Sequence, residues 1–126
     1  MVGFTGGAMR SNGAARIDPL GYISPKAMQV YYDYMLRNQQ LPDGRRRRSD
    51  NWKAGMPVPR YATSLLRHTH DFHTQWDDLK HGSAPDDYAT LQLMREALCG
   101  LVFNAMGMLH EMEMGADLLE EEGPGR

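Results

Sequence analysis

The sequence predicts a small all-α domain with three main helices and an extended glycine-rich N-terminal arm. Three observations support this fold class: a long stripe of apolar residues at helical spacing, two further segments with the same periodicity, and proline or glycine between them. The 126 residues suffice for one domain with a thin core. We expect the arm over 1–23, the helical domain over 24–119 and an acidic flexible tail over 120–126.

The longest helix is predicted over about 87–114, with Asp86 or Asp87 as its N-cap. Apolar residues recur there in steps of three and four, and we call them the apolar stripe: Leu91, Met94, Leu98, Leu101, Ala105, Met108 and Met112. This spacing places them on one helical face, which we expect to form the core. Cys99 has apolar neighbours and is the only cysteine, which predicts a buried thiol without an internal disulfide.

Two other helices are predicted before this one. Ser24 as N-cap and Pro25 at the first helical position indicate a helix over about 25–38. A second helix is expected over about 60–79. Its predicted inward face consists of Tyr61, Leu65, His68, Phe72 and Trp76.

Charge and composition narrow the classes of function. The net charge of −2 gives no overall attraction to nucleic acid, and the run from Arg45 to Arg48 is too short and isolated to favour such a partner. No apolar segment is long enough and free of polar residues to span a membrane. The single cysteine is typical of a reducing compartment, so we expect a cytoplasmic protein. The thin core favours a homo-oligomer.

Polar motifs lie around the predicted helices. Residues 4–10 combine two glycines, a hydroxyl and an arginine, which suits either an anion-binding loop or a plain flexible tail. The arginine run precedes Asp50, Asn51 and Trp52; arginine suits phosphate and tryptophan can stack on a purine, although a solvated loop has the same composition. His68 is either a hydrogen-bonded core histidine or an acid–base group.

The second and third helices carry enough histidines and carboxylates to hold Mg²⁺, Mn²⁺ or Zn²⁺ if they pack face to face. The clustered carboxylate patterns of all-α hydrolases of the MazG type do not occur, and Glu96 stands alone. The sequence therefore identifies no metal ligands.

Five segments taken together resemble a known family. They are Phe4–Arg10, Tyr22–Pro25, Ser49–Pro57, Ser64–His68 and Glu96–Gly107. Their succession resembles that of small bacteriophage and prophage proteins grouped with the N-terminal domain of dATP/dGTP diphosphohydrolases, over most of the chain. In that family the domain can be joined to a separate MazG-like catalytic domain. The sequence departs from two features of many members of the larger family: no Gly-Glu-Asp-x-Asp loop occurs, and Arg95 and Glu96 lie about where the histidines of a His-x-x-His helix would be.

The resemblance implies a purine (deoxy)nucleotide as ligand, bound between the second and third helices and closed by the arm and the loop at 50–52. His68 and Glu96 are the implied catalytic or orienting pair. The implied ligand-binding residues are Thr5, Arg10, Asp50, Asn51, Trp52, Arg67 and Asn104. In this hypothesis the arginines hold phosphate, Trp52 stacks on the base, and one asparagine hydrogen-bonds the base.

We therefore expect a phage-type nucleotide-binding protein in the cytoplasm of a bacterial host. It would be a (d)NTP diphosphohydrolase that uses Mg²⁺ or Mn²⁺, or an accessory to such an enzyme. The alternative is a non-enzymatic structural or interaction protein of a phage assembly or oligomer, in which the methionines supply an adaptable interface.

Overall fold

The computed structural model of the protein describes residues 2–3, 9–10, 17–49, 51–83 and 86–122. Within these residues it has three α-helices: α1 (Pro25–Asn38), α2 (Val58–Lys80) and α3 (Asp87–Glu113). Single 3-10 turns occupy Pro19–Tyr22 and Asn51–Ala54, and two short strands, β1 (Val2–Gly3) and β2 (Met9–Arg10), pair antiparallel. The predicted all-α class with three main helices is confirmed.

Local sequence explains where the helices begin. The Ser24 side chain accepts a hydrogen bond from the backbone N–H of Ala27 at 3.2 Å, as expected of an N-cap. Asp86 caps α3 in the same way. Its Oδ1 atom accepts hydrogen bonds from the backbone N–H groups of Tyr88 and Ala89, at 2.9 and 3.3 Å. Helix α2 begins at Val58, earlier than predicted, because Pro59 fits the first turn, where no N–H is needed.

Helices α2 and α3 form an antiparallel hairpin in which small residues allow close contact. Tyr61 packs against Gly107, and His68 packs against Gly100 about two turns away on each helix. A Cβ atom on Gly100 would lie 2.6 Å from the His68 ring, so glycine is what lets the helices approach this closely. The residues of α3 that become buried are Thr90, Ala97, Cys99, Gly100, Asn104, Gly107 and Glu111.

The prediction that the apolar stripe faces the core is wrong. Leu91, Leu98 and Met112 remain 41%, 44% and 42% exposed, and the other members of the stripe are only half-buried. The reason is steric. The Tyr61 and His68 rings occupy the space that a Cβ atom would fill at Gly107 and Gly100, so we call these two positions notches. Leucine and methionine side chains on that face of α3 would hold the two helices farther apart.

Helix α1 packs less tightly, and it does so against α3. None of its residues is fully buried, and the contact includes an ion pair between Arg37 and Glu96 that is open to solvent. The buried apolar residues in the described part of the chain are Val58, Tyr61, Ala97 and Cys99, so the prediction of a buried thiol is confirmed. Among the described helices, none has both the length and the hydropathy of a membrane span.

Candidate functional site

A cavity of about 230 Å³ lies between α1, the segment that precedes α2, and the α2–α3 hairpin. Four residues implied by the family resemblance line it together: Asn51, Arg67, His68 and Asn104. They come from three separate elements, so the tertiary fold brings them together and their sequence spacing does not. We call this space the basic cavity.

Two further cations that were absent from the predicted site also line the basic cavity, Arg47 and Arg48. They reach it because the chain folds back after α1. A turn around Gly44, whose φ is 88°, brings the Arg47 N–H within 2.7 Å of the Gln39 carbonyl. This hydrogen bond ties the arginine run to the C-terminal end of α1 and directs its last members toward the cavity.

The arginines differ in what they contact. Arg37 pairs with Glu96 and Arg45 pairs with Asp43, so both charges are compensated within the protein. The side chains of Arg47 and Arg67 make no hydrogen bond or ion pair to any described residue. No acidic residue occurs among the described residues that line the basic cavity. The described lining thus combines arginines with neutral side chains, a composition that suits an anion.

Asn104 and His68 are held in place by the α2–α3 contact. Asn104 is 3% exposed, and its amide nitrogen donates to the Gly100 carbonyl at 2.7 Å within α3. Its Oδ1 atom makes no hydrogen bond to a described residue. The His68 ring lies against Gly100, which fixes its position at the cavity wall.

A second, mainly apolar cavity of about 440 Å³ adjoins the first. Tyr31, Trp52, Phe103 and His110 line this aromatic cavity, and Phe103 lines both cavities. The Trp52 ring meets the His110 ring edge to face, with 5.1 Å between centroids and an angle of 89°. The family resemblance implied one site for Trp52 and Asn51, whereas in the structure these neighbours line adjoining cavities.

Glu96 lies on the other side of His68, in a third cavity of about 400 Å³ that also includes Asp71. Its carboxylate accepts a hydrogen bond from Arg37 at 2.5 Å. His68 and Glu96 thus line the same cavity, but no hydrogen bond joins them. Glu96 does not line the basic cavity.

Titratable groups between α1 and α3 are shifted by burial. Burial raises the pKa of the Tyr34 hydroxyl, and the nearby Glu96 carboxylate raises it further. Burial also raises the pKa values of Tyr31 and of the Cys99 thiol. Tyr34 lines both the basic cavity and the third cavity, and its hydroxyl is protonated at neutral pH.

Three residues implied by the resemblance lie outside what the structure describes. These are Thr5, Asp50 and the side chain of Arg10, whose backbone belongs to β2. Among the residues that are described, no group of three histidine, cysteine, aspartate or glutamate side chains converges as a metal site would require.

The residues that sequence reasoning left out of the site are Arg47, Arg48, Tyr34 and Phe103. The arginine run was a visible signal, and Phe103 recurs with Glu96 and His110 every seven residues on a face beside the apolar stripe. Nothing in the spacing distinguished Tyr34 from core aromatic residues. No family model matches the chain, and the curated proteins and the solved structures contain no match to it either. The candidate function therefore depends on the side chains of the two adjoining cavities.

Proposed function

We propose that the protein binds a purine (deoxy)nucleotide, with the phosphates in the basic cavity and the base in the aromatic cavity. One observation supports this more than any other. A cavity lined by arginines and an aromatic cavity share Phe103 as a wall, so a single ligand with an anionic end and a planar apolar end would fill both. A nucleotide has this combination of chemical groups.

The phosphate part of the proposal depends on Arg47 and Arg67. Guanidinium groups bind phosphate through paired, charge-assisted hydrogen bonds, which are stronger than neutral ones. Because neither side chain is paired with a described protein carboxylate, a bound phosphate would not have to displace an existing ion pair. Ser64 and the protonated Tyr34 hydroxyl add neutral donors to the same wall.

The base part of the proposal depends on Trp52 and Phe103. A purine stacked on such rings gains about 1–3 kcal/mol per base, judged from alanine substitutions in other proteins. Asn104 Oδ1 is an acceptor and would repel phosphate, so it is suited to a sugar hydroxyl or an exocyclic amino group. The preference for a purine comes from the family resemblance and from the volume of the aromatic cavity.

Hydrolysis is the second part of the proposal, and it concerns His68. This side chain is the acid–base group at the wall of the basic cavity, where it would act on a water molecule beside the phosphates. Mg²⁺ or Mn²⁺ would enter with the phosphates, since Mg²⁺ is usually held jointly by substrate oxygens and few protein ligands. A cytoplasmic location, where nucleoside triphosphates are abundant, belongs to the same proposal.

The first test is ligand stabilisation of the full chain. Melting temperatures are measured with dATP, dGTP, dCTP and dTTP, each with and without Mg²⁺ or Mn²⁺, because a ligand that binds only the native state stabilises it. We expect the purine nucleotides to raise the melting temperature. If no nucleotide has an effect, the proposal is wrong, and the non-enzymatic interaction protein becomes the better hypothesis.

Isothermal titration of variants then locates the phosphate. Arg67→Ala should weaken binding of the best nucleotide about 10- to 100-fold, the loss expected for one charge-assisted contact. Arg45→Ala is the matched control, because this arginine is paired with Asp43 and lies outside the cavity. Equal affinities for the two variants would contradict the phosphate site.

A second pair of variants locates the base. Trp52→Leu should weaken nucleotide binding by about tenfold through loss of stacking, while inorganic pyrophosphate binds as before. Trp76→Leu, which changes the other tryptophan of the chain, should leave nucleotide affinity unchanged. Weaker pyrophosphate binding by Trp52→Leu would indicate a general disturbance of the site instead.

Turnover separates an enzyme from a binding protein. Released pyrophosphate is measured with the nucleotide that stabilises best, in the presence of Mg²⁺ or Mn²⁺. His68→Gln should remove the turnover and retain nucleotide affinity, because glutamine keeps a polar side chain against Gly100 but cannot transfer protons near neutral pH. Nucleotide binding without any turnover in the parent protein would make it an accessory binder.

A further inference from the structure

The α2–α3 hairpin has two sides with opposite character. Arg67 on α2 and Phe103 on α3 line the cavities on one side. Trp76 follows Arg67 by nine residues, and Met94 precedes Phe103 by nine. Nine residues are about two and a half turns, so the two members of each pair lie on opposite faces of their helix. These residues therefore project from the opposite side of the hairpin, which α1 does not cover.

That opposite side is mainly apolar, with Thr69 of α2 among its residues. Its apolar residues are the apolar stripe of α3 together with Leu65, Phe72 and Trp76 of α2, and we call them the outer face. The Phe72 and Trp76 rings stack on each other, with 6.4 Å between their centroids, yet Trp76 is 49% exposed. The other members are half-buried or, like Leu98, more than two-fifths exposed. None of the named residues carries a charge.

We infer that the outer face binds the outer face of a second copy of this chain, so that two α2–α3 hairpins form a four-helix core. The stripe repeats every seven residues across three heptads, which is the pattern of helices that pack side by side at a shallow angle. This inference does not depend on nucleotide binding, because the cavities lie on the other side of the hairpin.

A second copy fits this surface for two reasons. In a two-fold dimer each surface packs against the same surface of the other copy. An uncharged face is compatible with this arrangement, whereas a face with charges of one sign would repel its copy. The face is also large enough: from Leu91 to Met112 it extends about 32 Å, and with two helices side by side it covers roughly 600 Å² per copy, near the lower limit for stable interfaces.

Burial of the outer face would also complete the core. The described part of one copy contains only four fully buried apolar residues, and α2 and α3 together make a single layer. Stable domains usually pack at least two layers of secondary structure around a shared core. Joining two hairpins would supply the second layer and remove a long apolar surface from water.

The experiment is sedimentation equilibrium of the full chain at protein concentrations of about 1 to 100 µM, a range in which dimers with interfaces of this size are expected to dissociate. We expect a mass of twice 14.3 kDa and a melting temperature that rises with protein concentration. A mass of one copy at every concentration would overturn the inference. That result would mean that another part of the same chain, or nothing, covers the outer face.

Substitutions then test which surface is responsible. Leu98→Glu, which appears twice in a two-fold interface, should weaken the dimer at least about 100-fold because it buries unpaired charges. Leu36→Glu is the matched control, since Leu36 lies on α1 and is 55% exposed. A dimer that survives Leu98→Glu, or that Leu36→Glu disrupts equally, would overturn the assignment.

A third variant separates loss of the interface from loss of the fold. Ala105→Glu adds a charge at the middle of the stripe without removing a large apolar side chain. It should give a single copy whose circular dichroism keeps the helical signal of the parent protein. If both glutamate variants in the stripe retain the dimer, the outer face is not the interface.

Discussion

The two interfaces of α3 within one copy differ in almost every respect. Against α2 it presents glycines and small or polar residues, and Tyr61 and Asn104 become buried there. Against α1 it presents Glu96 and Cys99, and the contact includes an ion pair whose side chains are 57% and 45% exposed. The first interface is close and buried, whereas the second is loose and partly exposed.

This difference shows which part of the molecule is the scaffold. Shape determines the tight interface, because glycines admit aromatic rings that larger residues would exclude. The loose interface leaves room for cavities, and the candidate site lies on that side. A rigid hairpin with a weakly attached α1 would allow the site walls to adjust around a ligand while the hairpin keeps its geometry.

The largest effect should come from filling a notch in the tight interface. Gly107→Val would place a branched side chain inside the space of the Tyr61 ring, which must then move. We expect a loss of roughly 3 kcal/mol in the free energy of unfolding, at the upper end of overpacking effects. Urea titration followed by circular dichroism measures it.

The control for this substitution is Ala89→Val in the first turn of α3. The residue is exposed, so the same type of side chain should change stability by no more than about 0.5 kcal/mol. A similar loss for both variants would show that helix propensity, and not the notch, determines the result.

Hydrogen exchange should distinguish the two interfaces without any substitution. Backbone amides in the middle of α1 should exchange at least about tenfold faster than those in the middle of α2 and α3, because local opening of α1 exposes little buried apolar surface. Mass spectrometry of peptides from each helix measures the rates. Equal protection in all three helices would contradict the picture of a loosely attached α1.

Alkaline pH should weaken the loose interface further. Burial raises the pKa values of Cys99, Tyr31 and Tyr34 above their ordinary values of 9.0, 10.0 and 10.0, so the folded chain holds these protons more strongly than the unfolded chain. At neutral pH both states are protonated and these groups contribute nothing. As pH rises above 9, the unfolded state loses protons first, and the free energy of unfolding falls.

Urea titrations at pH 8 and pH 10 check this expectation. Cys99→Ala should lose less stability between the two pH values than the parent protein, because it lacks the thiol. A parent protein whose stability rises with pH over this interval would contradict the direction of the shifts.

The smallest effect is expected at the ion pair between α1 and α3. Arg37→Ala removes a contact whose partners are both largely exposed, and such pairs contribute at most about 1 kcal/mol. The small loss of stability should shrink further in high salt, since salt screens exposed charges. Titrations at low and high salt measure it, and a loss above 2 kcal/mol would indicate that this interface is not loose, given that surface pairs rarely contribute so much.

The sequence predicted the helices well because their signals are local. Ser24, Pro25 and Asp86 act on the turn that follows them, and the structure shows the expected caps. The buried face of α3 could not be predicted in this way. Periodicity identified a continuous apolar face, but the choice of face depended on rings of α2 that fit Gly100 and Gly107, which is a tertiary contact.

The candidate site shows the same limit. The structure brings together Asn51, Arg67, His68 and Asn104, which the family resemblance had implied as a group. It adds Arg47 through the turn at residues 41–44, which the sequence indicates. The contact of Arg47 with the end of α1 is tertiary and has no signal in the spacing. It also separates Glu96 from the basic cavity, since Arg37 of α1 binds its carboxylate, and the packing of α1 has no signature in the residue spacing.

The chain has two tryptophans, and they lie on opposite sides of the hairpin. Trp52 lines the aromatic cavity beside His110, whereas Trp76 stacks on Phe72 in the outer face. Indole fluorescence depends on solvent contact and on neighbouring rings, so each tryptophan is a natural optical probe of its own side. With Trp76 replaced by phenylalanine, emission would report on events in the cavity; with Trp52 replaced, it would report on the opposite surface.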